Sequence, residues 1–343
     1  VTLVQGVTEE RAAEIAEYKA RQAIEKFALE GRDIAHLRIS RFDRHIVTEC
    51  LQRGLLDAFG DPSFQILLNK AQLQAASVTT EGEQDLLIKL LAERAADPRK
   101  KVHLAVSRAT AAVDSIDDPA LVGLTVLWFQ LMTETAIDDP VAGLTDRNET
   151  LGQIISGRSL PQGIDWVQDL ELLNLVVADY SGSMRSFDDL AGQRRPGFFT
   201  EGFDAVAAEE VRASLQAIDP KLTDLVVPHA FSDRMFRLNL GRVESCLEVG
   251  RKLDLTEIQT QKVATLFFRH SSMANHEVRS RAMKFIESDL PHLSAARDFQ
   301  NDVMGKFSVR FTPPGKALAY SEGKRHNDLD GLPSLADYLL DNY

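Results

Sequence analysis

Five of the twelve prolines follow an aspartate: Asp61-Pro62, Asp97-Pro98, Asp118-Pro119, Asp139-Pro140 and Asp219-Pro220. This pair suits a helix start. Aspartate accepts hydrogen bonds from the free N–H groups of the first turn, and proline next to it has no N–H to leave unpaired and a φ already helical. The negative charge also complements the helix dipole. Pro98, Pro119 and Pro140 lie 21 residues apart. Each interval holds one apolar-periodic segment, Val102 to Val113 and then Leu121 to Ile137, which predicts stacked antiparallel helices. Trp128, Phe129 and Leu131 fall in the second segment as core residues. The paired aspartates Asp117-Asp118 and Asp138-Asp139 are read as caps rather than as acid–base pairs.

Before this punctuated region, Val1 to Gly6 reads as a short strand. The abrupt start without Met points to a longer chain upstream. Thr8 caps a helix whose Ala12, Ile15, Ala16, Ala20, Ala23, Ile24, Phe27 and Ala28 form one face. A second helical stretch carries Ile34, Leu37, Phe42, Ile46, Leu51 and Leu55, and stops at Gly60. Further helices are expected over Ser63 to Ala76 and through Leu86 to Ala95. The pattern breaks at Ser156 to Gly163, which marks a domain boundary. Helices are expected from Asp165 through Val176, from Asp204 and from Pro220, with a Gly/Ser/Arg-rich loop over residues 181–202. The end reads as three helices, a strand at Phe307 to Phe311, a turn, a helix from Lys316 to Glu322, a polar mobile tail and a last short helix at Leu335 to Leu340.

Two cysteines outside any Cys-x-x-Cys cluster suit a reducing compartment and argue against a structural zinc site. No basic-then-apolar leader is visible, and the longest uncharged apolar run, Ala120 to Met132, is too short for a membrane span. A cytoplasmic protein without membrane partners is expected. The net charge of −12 disfavours nonspecific nucleic-acid binding by the whole chain. Residues 251–326 are the exception, with thirteen Lys/Arg against eight Asp/Glu.

Two constellations carry chemistry. Asp179-Tyr180-Ser181-Gly182-Ser183-Met184 resembles the metal-ion-dependent adhesion motif of von Willebrand factor A domains. There an Asp and two Ser groups hold a hard cation at the end of a parallel strand. In that reading Asp179, Ser181 and Ser183 are metal ligands; otherwise they form a Ser/Gly turn after a helix. In the basic module, three helices, a strand and a turn suggest a winged-helix-like arrangement. Arg279, Arg281, Lys284, Lys306 and Arg310 would then meet phosphates; otherwise they are a solvated face or a contact surface for the chain's own acidic domain. No nucleophile elbow, P-loop or dinucleotide fingerprint is present.

Four stretches together carry a family resemblance: Gln5-Gly6-Val7-Thr8, Asp85 to Arg94, Pro196 to Phe203, and Phe311 to Ala319. With them the chain resembles an uncharacterised bacterial family of helical proteins, the LPO/Vpar type. The resemblance spans nearly the whole chain and implies a bacterial cytoplasmic source. It implies no established activity and no catalytic residues, and associates such proteins with bacterial conflict systems.

The expected fold is therefore mainly α. A strand at residues 1–7 precedes a multi-helix antiparallel domain over 8–155. A second helical domain follows over 160–343, ending in the strand–turn–helix module. The expected role is a noncatalytic scaffold or sensor that works through protein–protein contacts, self-associates through the N-terminal strand and helices, and needs no cofactor. A nucleic-acid-binding regulator using 251–326 and a metal-binding protein at Asp179 are the alternatives.

Overall fold

The first helix, α1, runs unbroken from Glu9 to Gln52, where the sequence suggests two. Gly31 is the only breaker between its halves, and a lone glycine costs a helix about 1 kcal/mol without ending it. A computed structural model describes residues 9–181, 185–271, 273–304, 306–326 and 332–340. The predicted strand at 1–7, the Thr8 cap, Ser183 and residues 327–330 of the predicted tail lie outside them.

The chain is mainly helical and divides into two compact units, Val1–Ser115 and Ile116–Tyr343. In the first, α1 is followed by a 3₁₀ turn at Leu56–Gly60, then α2 (Pro62–Ser77), α3 (Glu81–Ala96) and α4 (Lys100–Ala112). Asp61 caps α2, accepting from Ser63 N at 2.9 Å. Thr80 and Glu83 close a reciprocal capping box on α3. Among the described side chains of α1, the last quarter of the helix enters the core. Phe42, Ile46 and Cys50 are buried there with Phe64, Leu67, Leu87 and Leu91. Asp61 also ties the core together, because buried Arg94 donates to its Oδ2 at 2.7 Å and to Ser63 Oγ at 2.8 Å.

The second unit is built round α5 (Asp118–Met132). Every residue from Ala120 to Leu131 is buried, as expected for a helix that is apolar on all sides. Around it lie α6 (Pro140–Ile155), α7 (Asp165–Leu172), α13 (Pro291–Met304) and α14 (Pro313–His326). Trp128 meets Tyr320 and Tyr338 edge-on, with ring centres 5.7 and 5.3 Å apart. This aromatic contact explains why α5 and α6 pack with the C-terminal helices, on the far side of the break at Ser156 to Gly163. Asp139 caps α6, and Asp117 rather than Asp118 caps α5.

Between α7 and α13 the chain forms β1 (Val176–Asp179), α8 (Phe187–Arg194), α9 (Ala205–Gln216), β2 (Val226–Pro228), β3 (Phe236–Leu238), α10 (Val243–Lys252), α11 (Glu257–His270) and α12 (His276–Asp289). After α13 come β4 (Ser308–Phe311), α14 and α15 (Leu335–Leu340). A second buried cluster, including Phe203, Val211, Leu222, Leu238 and Phe267, joins α9, the β2–β3 hairpin, α10 and α11.

Three expectations are corrected here. The helix from Asp165 ends at Leu172, because Asn174 takes a positive φ of 55° and the chain then extends into β1. The loop at 181–202 contains α8, capped by Ser186, and a 3₁₀ turn at Pro196–Phe198. The winged-helix module is not confirmed. β4 pairs antiparallel with β1, Val176 opposite Phe311 and Asp179 opposite Ser308. A wing would need a strand partner inside the module. α14 instead begins at Pro313, where Thr312 Oγ1 accepts from Gly315 N at 3.2 Å. Among the described residues no helix is long and apolar enough to cross a membrane.

Candidate functional site

Beyond its packed end, α1 presents apolar side chains to solvent. Ile24 is 67%, Phe27 66%, Ile34 50% and Leu37 72% exposed. Ala13, Ala16, Ala20, Ala23, Phe27, Ile34 and Leu37 follow a three-and-four spacing with Glu30 completing the series, so they form one stripe. From residue 9 to 37 this arm is about 43 Å long at the helical rise. A helix that long is normally held by covering its apolar face.

The sequence-predicted site residues fall into separate places. Asp179 ends β1, and its Oδ1 accepts from Ser181 N at 2.9 Å and Ser181 Oγ at 2.7 Å. The strand before this turn is antiparallel, unlike the parallel strand of the adhesion motif. Among the described residues no three His, Cys, Asp or Glu side chains gather as a metal site. In the basic module, Arg279 pairs with Asp189 at 3.2 Å, and Lys306 with Asp302 at 2.8 Å. Arg281 donates to the Phe231 carbonyl at 3.4 Å. Arg279 and Lys284 line one shallow pocket beside Arg297, whereas Arg310 lines a different cleft. The five cations are not brought together.

That cleft, of about 740 Å³, lies wholly within the second unit. Its walls come from the end of α5 and the connection to α6, from Arg185 and α8, from the entry to α10, and from β4, α14 and Pro333. Arg185, Arg194, Arg242, Arg310 and Lys316 line it against two carboxylates, Glu134 and Glu248. Three of these cations have a structural reason for their position. Arg194, in the last turn of α8, donates to the Gln130 carbonyl at 3.1 Å and to that of Leu131, so it closes the free C-terminal end of α5. Arg242 holds Glu134 at 2.8 Å. Lys316 Nζ donates to the Tyr338 carbonyl at 2.8 Å, fastening α15 to α14. Among the described residues no carboxylate lies within ion-pair distance of Arg185 or Arg310.

A recess of about 60 Å³ adjoins the cleft and shares Glu134, Thr135, Leu190 and Arg194 with it. Its wall includes Gln130 and Gln300, both buried. Gln130 Nε2 and both polar atoms of Gln300 have no hydrogen-bond partner among the described residues. Arg147, also on this wall, donates to Gln130 Oε1 at 2.8 Å and to the Thr133 carbonyl at 3.1 Å. Burial lowers its pKa to about 10, so it stays charged at neutral pH.

Asp138, on the connection from α5 to α6, organises the backbone around it. Its Oδ1 accepts from Ser245 Oγ at 2.6 Å, Gly241 N at 2.7 Å and Arg195 Nη1 at 3.3 Å. The Asp138-Asp139 pair is thus structural, with Asp139 capping and Asp138 fixing the turn into α10. The cleft cations other than Arg310 were not legible as a site in the sequence. They arrive from four separate elements, and the only local signal was the Arg194-Arg195-Pro196-Gly197 run.

These features define a mainly helical protein of two compact units, one bearing an exposed helical arm and the other an arginine-lined cleft. The model of an uncharacterised family matches residues 6–330, and the chain belongs to that family. Comparison with curated proteins and with solved structures found no match.

Proposed function

We propose that this protein is a noncatalytic helical scaffold or sensor that works through protein–protein contacts and self-associates through the arm of α1. One observation carries the reading: Ile24, Phe27, Ile34 and Leu37 stand half or more exposed along one helix. The occupant that fits this face is a second copy of the same arm, running antiparallel. The stripe is symmetric about Glu25. Ala13, Ala16 and Ala23 mirror Leu37, Ile34 and Phe27. A two-fold antiparallel pair sets each large side chain of one copy on a small one of the other, which lets the helices approach and interdigitate. The charges agree with this register. It brings Glu30 of one copy beside Lys19 of the other. Light scattering on the full chain at micromolar concentration tests the reading. A dimer mass is expected, and a monomer mass across that range refutes it.

A further inference from the structure

We propose that the cleft of the second unit binds a small phosphate-bearing molecule of nucleotide size, with its anionic group on Arg185, Arg310 and Arg194. The charge is the first ground. Five cationic side chains against two carboxylates line this cleft, in a chain whose net charge is −12. Glu134 and Glu248 are both engaged by Arg242, at 2.8 and 3.5 Å. Arg185 and Arg310 therefore face the cleft without a carboxylate among the described residues. Arg185 is held by Gln193 Oε1, a neutral partner, so its charge, like that of Arg310, remains to be met by an anion. Guanidinium groups present planar pairs of donors that match phosphate oxygens.

Size and wall chemistry narrow the class. About 740 Å³ lies within the range of pockets that enclose a drug-sized ligand. Leu131, Met132, Val309 and Phe311 supply an apolar wall, which an inorganic anion alone would leave uncovered. The adjoining recess adds the second ground. The buried amide of Gln300 lines it with both polar atoms unpartnered among the described residues, and a buried amide without partners is costly. A ligand reaching from cleft to recess with a donor–acceptor edge would satisfy it.

The test is calorimetric titration of the full chain with ATP, inorganic triphosphate and citrate at fixed moderate salt. ATP is expected to bind, triphosphate more weakly for want of an apolar part, and citrate weakest. Arg310→Glu should weaken ATP binding about tenfold or more, the loss expected for a charge-assisted hydrogen bond. Arg310 is exposed and has no side-chain partner among the described residues, so the variant's thermal unfolding should match the parent. Arg185→Glu serves as an independent second variant. Absence of ATP and triphosphate binding at millimolar concentration overturns the proposal. So does ATP binding that neither variant changes, or citrate binding as tight as ATP. Binding confined to oligonucleotides would also overturn it, in favour of a nucleic-acid surface.

Discussion

Replacing Glu322 with Gln should destabilise the second unit by about 3–5 kcal/mol, the cost of breaking a buried ion cluster by removing one partner. Glu322 sits on α14 with no exposed surface. It accepts from Arg158 Nη1 at 2.8 Å, from Arg325 Nε at 2.8 Å and Nη2 at 2.6 Å, and it contacts His326 Nε2 at 3.0 Å. Burial alone would raise its pKa. Hydrogen bonds from His326 and Arg325, with the charges of Arg325 and Arg158, outweigh that and hold it at about 2, against 4.5 for an ordinary glutamate. The folded-state pKa lies below the unfolded one. The stabilisation is therefore full above about 4.5 and is lost as pH falls toward 2. That gap corresponds to about 3 kcal/mol. Both tryptophans, Trp128 and Trp166, lie in the second unit, so their fluorescence in a urea titration reports this unit alone. Glu322→Gln should shift the midpoint strongly at pH 7, and the difference from the parent should shrink as pH falls from 4.5 to 2.5. A variant within 1 kcal/mol of the parent at pH 7, or a difference that does not narrow in acid, refutes the reasoning.

Two further outcomes follow from packing. A Cβ at Gly315 would overlap the Leu175 carbonyl oxygen, so Gly315→Ala should cost about 1–3 kcal/mol by forcing β1 and α14 apart, again read by tryptophan fluorescence. Cys50 and Cys246 are both buried, and burial, aided by Asp138, pushes the Cys246 thiol up to about 12. Neither thiol should react with a disulfide reagent at pH 8 in the native protein, and both should react in urea. Rapid labelling of Cys246 without denaturant would contradict the burial of α10 against the second unit's inner cluster.

The helical character and much of its punctuation were readable in the residues, because capping is local. Asp61, Asp139 and Asp219 accept from backbone N–H groups at the starts of α2, α6 and the 3₁₀ turn Pro220–Leu225. At Asp97 the same chemistry makes a turn instead, accepting from Arg99 N at 2.9 Å, and α4 begins three residues later. Local rules failed where distant segments decide. β1 has the apolar run of a helix end, but its partner β4 lies some 130 residues on, and only that pairing makes it a strand. The continuity of α1 was hidden by Gly31, which marks a break in many chains but meets nothing here. The cleft was least legible. Arg194 and Arg242 lie there to satisfy α5's last carbonyls and Glu134, and their convergence depends on how α8 and α10 fold back. The apolar face of the early α1 was visible from the start. Its exposure was not, because a stripe of alanines and isoleucines reads as core whatever covers it.

The claim that this exposed stripe is a self-association surface is tested most directly by analytical ultracentrifugation of the full chain beside its Phe27→Glu, Ile34→Glu double variant. Both residues are exposed, so the fold of either unit does not depend on them. The parent should sediment as a dimer and the variant as a monomer with unchanged helix content. Identical sedimentation of the two proteins, whatever their mass, would contradict the account.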